Sequence, residues 1–577
     1  MSCTLEILIN NEEEWLKKLE NEDFWNSIPL LNVNEVHNIK NLSLVRFKGM
    51  IQDMQNPEYY LEKYEVTNRD TNEKYVKNGK YSDVILQSDN EDVDYDNENN
   101  KTSERQTYVV ISTPGVNKWV DSLEEEFNKC KSDVNEVEHI KTDKRSLEDE
   151  EMETEVVKNS ELYKKQCTEE KIEATSSDKG NSSVVSKEHI LNFPLPDRMG
   201  KKCHVKVYDE TNTLKLNDTV EIVGFLSCNP FLATINEEED ESRMEIESSH
   251  PPASIVPRIH CVKYKKIIHL NPLVTSQNLT SERMLFLKKE LMILFTQLLL
   301  GDDLAADYLI CNLISDVYLR KDFMPLGKFS INITNIPIMQ KIDYTKTLYE
   351  FIEMLVPKSH YFPMTLENLN DQTFIPKKDY DCNRLTSGIL QLSKNTHFIL
   401  DETKLTDGKL NAAGVNNIKA IASCIKNQKI AYDFNYYPIE YEVDIPFLIL
   451  SEGKSMLTPD VHITLQPDET CLRTFSEIVE AAKQFLNNDL LNELRVYLTF
   501  ARLIKYEISD KIQDLVQQEF VNMRQKEKNI SADNLHNLLV LARLVCISEG
   551  KSTLDEHCWK KALHMEEIRK SRLPAHT

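Results

Sequence analysis

The sequence predicts a multidomain protein of mixed α and β structure, in which a small β-barrel, an α/β core and a helical C-terminal domain follow one another. Three observations predict this fold class. Apolar residues alternate in several short segments of the first half of the chain, as in half-buried strands. Apolar strands without alternation follow, and amphipathic helices fill the C-terminal end. With 577 residues, the chain is long enough for several domains.

Residues 1–40 are predicted to form an N-terminal helical segment, because apolar residues recur at helical spacing around Trp15. In "SLVRFKGMIQDM" the period then changes to two, with Val45 and Phe47 on one face and polar residues on the other. Such alternation is typical of a half-buried strand. Residues 41–87 are therefore interpreted as the first part of the barrel.

Residues 88–187 are predicted to be a mostly disordered acidic insert inside the barrel. Segments such as "DNEDVDYDNENN" and "LEDEEMETE" contain too few apolar residues to offset the entropy of ordering. The segment "RQTYVVISTPG" within the insert predicts a strand. Residues 188–275 return to alternation in "CHVKVYDE" and "TVEIVGFLS", with a bulge expected at Gly224. Short strands interrupted by loops favour a barrel of the OB type.

Residues 276–482 are predicted to form the α/β core. Two helical segments precede the strands "KFSINIT", "HFILDE" and "DIPFLILSE", and strands of this kind fit a sheet that is covered on both faces. Residues 483–577 are predicted to be a helical domain. Ser531 is expected to cap a helix in which Leu535 and Leu538 lie on one stripe.

The charge of the chain disfavours nucleic acid as its main partner. There are 94 acidic and 69 basic residues, which gives a formal net charge of -25. An acidic chain is repelled by phosphate backbones unless it gathers a basic patch. The strongest candidate for such a patch is the short segment "KYKK", Lys263 to Lys266.

Other patterns indicate an intracellular protein without a metal site. The 12 cysteines contain no C-x-x-C pair, and the 14 histidines no H-E-x-x-H motif, which argues against zinc ribbons, disulfide frameworks and zinc protease sites. The N-terminal residues lack the pattern of a secretory signal. No apolar run approaches the roughly 20 residues that a membrane helix needs.

The strand "HFILDE" ends in Asp401 and Glu402, as does the magnesium-binding strand of a P-loop ATPase. ATP chemistry also requires a phosphate loop of the pattern G-x-x-x-x-G-K-[ST]. The segment "SEGKS" occurs twice, but Leu448 and Val545 stand where the first glycine is needed. Both copies also follow the acidic strand, so neither has the expected chain order.

The order of barrel, α/β core and helical end resembles the subunits of the minichromosome maintenance (MCM) replicative helicase. In that family the phosphate loop is "GDPGTAKS". Here "LLLGDDLAADYLI" falls in register, so that Gly301 matches while Asp307 and Tyr308 replace the lysine and the serine. Pro459 takes the place of the arginine finger, and Asp533 lies near that of a sensing arginine. The resemblance implies a degenerate AAA+-like core with a lid-like helical domain and no cations to handle phosphate.

Six segments in the same order resemble the MCM complex-binding protein family: "RFKGMIQDMQNPEYY", "LNFPLP", "HPPASIVPRIH", "LLGDDLAADYLICNLIS", "PLGKFSINIT" and "VYLTFARLIKYEISD". This resemblance implies a nuclear, non-catalytic protein that associates with MCM helicase subunits. It implies a part in their assembly, stability or release from chromatin during DNA replication, and in sister-chromatid cohesion. No cofactor is expected, and association with chromatin is expected to be indirect.

Two alternative functions stay open at this point. The first is an active AAA+-type ATPase, which the acid at position 307 disfavours. The second is a single-strand DNA-binding OB protein, in which Tyr59 and Tyr60 would stack on bases. The acidic net charge disfavours this second alternative.

Overall fold

The computed structural model describes residues 5–128 and 187–573, apart from 86, 87, 89, 96, 199, 210–212, 230–249, 275–278, 323, 341 and 527–530. It confirms the prediction of a multidomain protein of mixed α and β structure with several sheets. The helices are α1 (Leu5–Asn10), α2 (Glu12–Lys18), α3 (Glu22–Ser27), α4 (118–128), α5 (Lys187–Leu191), α6 (Ser281–Leu298), α7 (Asp303–Ile314), α8 (Tyr344–Leu355), α9 (Leu366–Asp371), α10 (Ala412–Asn427), α11 (Glu469–Arg473), α12 (Phe475–Phe485), α13 (Asn488–Leu503), α14 (Asp510–Lys526), α15 (Ala532–Ser548) and α16 (Glu556–Ser571).

The strands are β1 (Leu44–Met54), β2 (Glu58–Asn68), β3 (Lys74–Asn78), β4 (Glu91–Val93), β5 (Lys101–Ile111), β6 (Lys202–Val207), β7 (Thr219–Ser227), β8 (Arg258–Lys266), β9 (Leu319–Lys321), β10 (Met324–Leu326), β11 (Ile331–Thr334), β12 (Ser359–Pro363), β13 (Lys377–Asp379), β14 (Arg384–Thr386), β15 (His397–Asp401), β16 (Lys429–Asp433), β17 (Pro438–Glu442), β18 (Phe447–Leu450) and β19 (Val461–Thr464).

Five strands of the N-terminal half close into a barrel. Around the barrel the order is β1, β5, β6, β8, β7 and back to β1, and only the β6–β8 pair is parallel. β2 pairs with β5 outside this ring and carries β3 and β4. The alternating apolar residues point inward, so that Val45, Phe47, Val205 and Ile222 lie buried in the barrel interior.

The outer face of β1 is also covered, which corrects the prediction of a half-buried strand. Arg46 is 5% exposed and donates hydrogen bonds to Asn26 and Glu221, at 2.8 and 2.9 Å. Gln52 is 1% exposed, because the neighbouring core covers it. The polar residues at alternate positions of β1 therefore face other parts of the protein, which supply the hydrogen-bond partners that solvent would otherwise supply.

The predicted insert 88–187 does not begin where its composition suggested. β4, β5 and α4 all lie between residues 91 and 128, and β5 is a full strand of the barrel, as the segment "RQTYVVISTPG" predicts. The apolar run from Tyr108 to Ile111 supplies the buried side chains that hold β5 in the sheet. Residues 129–186, where the rest of the predicted insert falls, lie outside the described residues.

The α/β core contains a five-stranded sheet whose order is β12, β15, β18, β11, β19. All its pairings are parallel, so the carboxyl ends of the five strands lie at one edge. Every residue of β15 is buried, in line with a strand covered on both faces. A second sheet, ordered β14, β13, β16, β17, lies beside it and shares its apolar core.

The C-terminal domain is helical, as predicted, and packs on α6 and α7. Ser531 is confirmed as the N-cap of α15, where its side chain accepts a hydrogen bond from the amide of Asn534. None of the helices in the described ranges is long and apolar enough to span a lipid bilayer.

Buried polar contacts join the barrel to the α/β core. The side-chain amide of Gln52 donates to the Ser387 hydroxyl, and that of Gln391 donates to the Gln52 carbonyl at 2.9 Å. The Asp53 carboxylate accepts the Leu385 amide at 2.7 Å. Each of these buried polar groups has its hydrogen-bond partner on the other side of the junction between barrel and core. The contacts therefore fix the orientation of the barrel relative to the core.

Gly224 provides a test of the barrel geometry. The register of the β7–β8 pair shifts between Val223 and Gly224, which confirms the predicted bulge. A Cβ atom at this position would lie 2.2 Å from the carbonyl oxygen of His260. We expect Gly224→Ala to lower the free energy of unfolding by about 1–3 kcal/mol in urea denaturation. Gly453→Ala is the matched control, because its Cβ would meet nothing within 4 Å. Equal stability of the two variants would contradict the geometry.

Candidate functional site

The candidate site lies at the carboxyl edge of the parallel sheet, where β11 leads through residues 335–343 into α8. A phosphate loop follows a strand and opens a helix, and this segment has that order. β15 lies in the same sheet and brings Asp401 to the same edge. Parallel sheets of this type bind ligands at the carboxyl ends of their strands.

The carboxylate of Asp401 is fully buried and accepts four hydrogen bonds. Oδ2 accepts the hydroxyl of Thr345 at 2.6 Å and that of Tyr361 at 2.5 Å. Oδ1 accepts both the amide and the hydroxyl of Thr403, at 3.0 and 2.6 Å. Burial and the bond to Asp401 raise the pKa of Tyr361, so its hydroxyl stays a donor. The two oxygens therefore have their hydrogen-bonding capacity filled by protein donors.

Thr345 and Tyr344 open α8 at the positions where a phosphate loop has its hydroxyl residue and its lysine. The Thr345–Asp401 contact joins the two residue types that together hold magnesium in a P-loop ATPase. Tyr344 is 3% exposed and donates its hydroxyl to the carbonyl of Leu298 at 3.0 Å. The site thus keeps the hydroxyl and the acid but has an uncharged, buried ring in place of the cation.

The N-terminus of α8 carries its own anion. Asp343 is the N-cap, and its side chain accepts the amide of Lys346. Although burial opposes the effect, hydrogen bonds from Lys404 and Thr345 lower the pKa of Asp343. The Lys404 ammonium lies 2.9 Å from the Asp343 carboxylate. A carboxylate therefore stands where the amides and dipole of a helix would bind phosphate, and the adjacent lysine is paired with it.

The loop before α8 has no glycine-rich cradle. Residues 335–343 contain no glycine, and the amides of Asn335 and Ile336 donate to the carbonyls of Glu452 and Ser451, at 3.1 and 3.2 Å. These amides are consequently turned toward the loop after β18. The loop borders a cleft of about 340 Å³ whose charged lining, among the described residues, is Asp343, Lys404 and Glu452.

Glu402 follows Asp401 but has different partners. It begins a single helical turn, and its Oε1 accepts the Ser455 hydroxyl at 2.7 Å. Burial raises the pKa of Glu402, and the charge of Asp401 acts in the same direction. Ser455 belongs to one of the two "SEGKS" segments, so this segment contacts the acidic pair as a hydrogen-bond donor from the loop after β18.

Gly301, Asp307 and Tyr308 lie in the α6–α7 helix pair and not in the loop that links β11 to α8. Gly301 has a φ of 89° in the turn after α6, so a helix and not a strand precedes it. Asp307 lies 4.0 Å from Lys288 and 3.8 Å from Lys561, and Tyr308 is buried. The alignment of "LLLGDDLAADYLI" with a phosphate loop therefore falls on a helical hairpin. The segment that has the strand–loop–helix order of a phosphate loop instead begins with β11.

Pro459 and Asp533 lie at the opposite edge of the sheet from Asp401. Pro459 comes just before β19, next to Asp460, which accepts the Ser330 amide at 2.9 Å. Asp533 is exposed in the first turn of α15, and Asn537 one turn later donates to the Asp460 carbonyl. The structure thus brings Asp401 and Glu402 together, and none of the other five predicted positions lies in the β11–α8 segment that contacts Asp401.

Several basic residues of the barrel are engaged by other side chains of the protein. Lys206 pairs with Glu58 at 2.9 Å, and Arg258 pairs with Asp83 at 2.9 Å. In the "KYKK" segment, Lys263 and Lys266 pair with carboxylates and Lys265 lies over the Trp25 ring. Of the two tyrosines considered for stacking, Tyr59 is 77% exposed, and Tyr60 packs edge-on against Tyr208.

Sequence reasoning missed Asp343, Thr345 and Tyr361. The strand "KFSINIT" was predicted, and the polar "DYT" that starts the next helix is the signal that could have located the site. A search for glycines passes over this loop because it has none. Tyr361 carries no motif and is identified only by its contact with Asp401.

Comparisons with known proteins find one family, which matches nearly the whole chain. The family model described as "Mini-chromosome maintenance replisome factor" matches residues 15–573. Proteins of several animals that are named "Mini-chromosome maintenance complex-binding protein" are similar in sequence to this chain. The Drosophila melanogaster protein is 40% identical over 96% of this chain and 94% of its own length. The Gallus gallus protein is 38% identical over 96% of this chain and 92% of its own length, and the Homo sapiens protein is 36% identical over 97% and 93%.

Removal of one donor to Asp401 tests the role of this carboxylate. Thr345→Val keeps the shape of the side chain but removes the hydroxyl that contacts the buried Asp401 carboxylate at 2.6 Å and, at 3.0 Å, the Asp343 carboxylate. We expect a loss of about 1–3 kcal/mol in the free energy of unfolding, measured with urea. Thr347→Val on the same helix is the matched control, since its hydroxyl bonds an exposed carbonyl, and it should change stability by no more than about 0.5 kcal/mol. If both variants matched the wild type, Asp401 would not depend on this contact.

Proposed function

The chain belongs to the mini-chromosome maintenance replisome factor family, and from this we propose that it is a non-catalytic protein that binds MCM helicase subunits. The observation that carries the non-catalytic part is the environment of Asp401. All four of its hydrogen bonds come from Thr345, Tyr361 and Thr403. A magnesium ion would have to displace these donors without a lysine or a phosphate cradle to help it. Several orders of magnitude in rate normally depend on such cations.

We also propose that the α/β core is a degenerate AAA+-like domain. Three features support this: a fully parallel five-stranded sheet, a strand–loop–helix unit at its first strand, and the contact between Thr345 and Asp401. The closed ring of five strands supports an OB-like barrel, since OB folds are five-stranded barrels. The helices after residue 483 then correspond to a lid-like domain.

The proposed partner follows from the names of the relatives, which describe binding to the MCM complex. A body with the domain layout of a helicase subunit can occupy the place of a neighbouring subunit without contributing an ATP site. In this way it would regulate the assembly, stability or release of MCM complexes from chromatin in DNA replication and in sister-chromatid cohesion. This role requires a nuclear protein whose association with chromatin is indirect.

The two alternatives lack a supporting observation of this kind. An active ATPase would need a cation at the N-terminus of α8, where Asp343 and Tyr344 stand. A single-strand DNA-binding barrel would need an open basic surface beside Tyr59, whereas Lys206 and Arg258 of the barrel are paired with Glu58 and Asp83. Such a barrel would also bind oligonucleotides with a strong dependence on salt.

Calorimetric titration with MgATP tests the non-catalytic assignment. The purified full-length chain should give no saturable heat, because Asp343 already occupies the helix N-terminus and Asp401 has no open coordination position. The same protein should release no phosphate in a turnover assay. Magnesium-dependent binding accompanied by turnover would establish the ATPase alternative and overturn the proposal.

Affinity purification from nuclear extract, followed by cross-linking mass spectrometry, tests the proposed partner. We expect MCM subunits among the recovered proteins, with cross-links from the α/β core and the helical domain. A folded Thr345→Val variant is a suitable control and should recover the same subunits, because the proposal gives the sheet edge no role in nucleotide-dependent binding. Absence of MCM subunits, or cross-links confined to the barrel, would contradict the subunit-like mode of binding.

A further inference from the structure

A cluster of three potential metal ligands lies between the barrel and the second sheet of the core. His189 is on α5, the first described helix after residue 128. Asp379 ends β13, and Cys382 lies in the turn that leads to β14. Their ligand atoms, one from each residue, all lie within 4.8 Å of one another. The His189 Nε2 atom is 3.9 Å from the Asp379 carboxylate.

The geometry points to a zinc site, and we propose that His189, Asp379 and Cys382 bind one Zn²⁺ ion. An imidazole nitrogen, a carboxylate oxygen and a thiolate sulfur are the three ligand types that zinc takes in proteins. Tetrahedral coordination at 2.0–2.3 Å places ligand atoms roughly 3.3–3.8 Å apart, so the separations would have to contract by at most about 1.5 Å. A water molecule or another donor would complete the fourth position.

Backbone amides of the β13–β14 turn fix the orientation of the Asp379 carboxylate. The Oδ1 atom of Asp379 accepts the amides of Asp381 and Cys382, at 3.0 and 3.3 Å. This arrangement fixes the carboxylate next to the thiol and leaves Oδ2 facing His189. Cys382 is 2% exposed, while the His189 and Asp379 side chains are about one-third exposed. The sulfur is therefore shielded from bulk solvent, while the other two side chains border it.

The charges near the cluster permit a dication. Among the described residues, His189 is the one basic side chain within 4.0 Å of the Asp379 carboxylate. Lys202 is close by but donates to the carbonyls of Ile190 and Leu191. Arg384 also lies near the cluster, where its charge interacts with Asp53, Asp379 and Cys382. Zinc with one carboxylate and one thiolate is neutral once the Cys382 thiol has released its proton to solvent, so the metal-bound cluster places no positive charge beside these cations.

A second cluster of three potential metal ligands has an electrostatic environment that is unsuitable for a dication. Glu549, His557 and Cys558 also bring three ligand atoms within 4.8 Å of one another. However, the Glu549 carboxylate has three lysines at 3.0 to 3.8 Å, which already neutralise it and would repel a dication: Lys288, Lys551 and Lys561. Lys551 also lies 3.4 Å from the Cys558 sulfur. The comparison singles out the His189 cluster.

The position of the site gives the ion a structural consequence. α5 precedes β6 of the barrel, whereas Asp379 and Cys382 belong to the β13–β14 turn of the core. Leu385 in the same hairpin donates its amide to Asp53 of β1. An ion here would tie the point where the chain re-enters the barrel to the same hairpin that already contacts β1. Zinc binding should therefore stabilise the junction of the two units.

Cobalt and zinc binding to the metal-stripped full-length chain test this proposal. We expect one Zn²⁺ per chain by elemental analysis, and a sulfur-to-cobalt charge-transfer band on addition of Co²⁺. Cys382→Ser should abolish the band, because sulfur is its source. Cys471→Ser and His557→Ala are the matched controls and should retain it, since neither residue belongs to the proposed site.

Substoichiometric zinc in the wild type, or a band that persists in Cys382→Ser, would overturn the proposal. Loss of the band in His557→Ala would assign the metal to the other cluster and would also overturn it. If Cys382→Ser does not fold, the partly exposed ligand gives a second test. His189→Gln should weaken zinc binding by about tenfold to 100-fold or more, while wild-type affinity in a folded His189→Gln protein would refute the site.

Discussion

The buried carboxylate of Asp401 is the constraint on which the carboxyl edge of the parallel sheet depends. A buried charge is tolerated only when donors surround it, and here the donors come from α8, β12 and the turn after β15. The carboxylate thus joins three elements that are distant along the chain. A metal ion could meet the same requirement, but the protein meets it with Thr345, Tyr361 and Thr403. Asp343 extends the same logic to the helix N-terminus, where a carboxylate takes the position of a phosphate.

The same reliance on buried polar contacts fixes the barrel against both the helical C-terminal domain and the core. The amide of Asn271 donates to the carbonyl of Arg495 and to the hydroxyl of Thr499, both at 2.9 Å. On another side of the junction, the Arg198 guanidinium lies 2.8 Å from the Glu353 carboxylate and donates to the Tyr349 hydroxyl at 2.9 Å. Since unpaired buried groups are costly, packing the two units together in any other arrangement would be unfavourable, because these buried groups would lose their partners. The protein therefore presents barrel, core and helical end as one connected surface to a partner.

Periodicity allowed much of the fold to be predicted, because it reports directly on burial. The strand ending at Asp401, the bulge at Gly224 and the cap at Ser531 all follow from local patterns. The site was harder to predict for two physical reasons. Its loop satisfies its amides with carbonyls from another loop, so it needs no glycine, and a glycine search instead selects the turn at Gly301. Contacts between distant segments, such as Tyr361 with Asp401, also leave no trace in local spacing. Composition likewise placed the start of the insert too early, since charged residues surround the short apolar run of β5.

The affinity of the chain for a purified MCM subunit tests the central claim most directly. The subunit should carry a replaced phosphate-loop lysine, so that any effect of nucleotide arises from this chain alone. The dissociation constant would be measured once in nucleotide-free buffer and once with saturating MgATP. A binding protein whose sheet edge is satisfied by its own side chains should give values within about twofold of each other, a difference below about 0.4 kcal/mol. Binding that is absent without nucleotide and restored by MgATP would contradict the account, because the edge at Asp401 would then be a working nucleotide site.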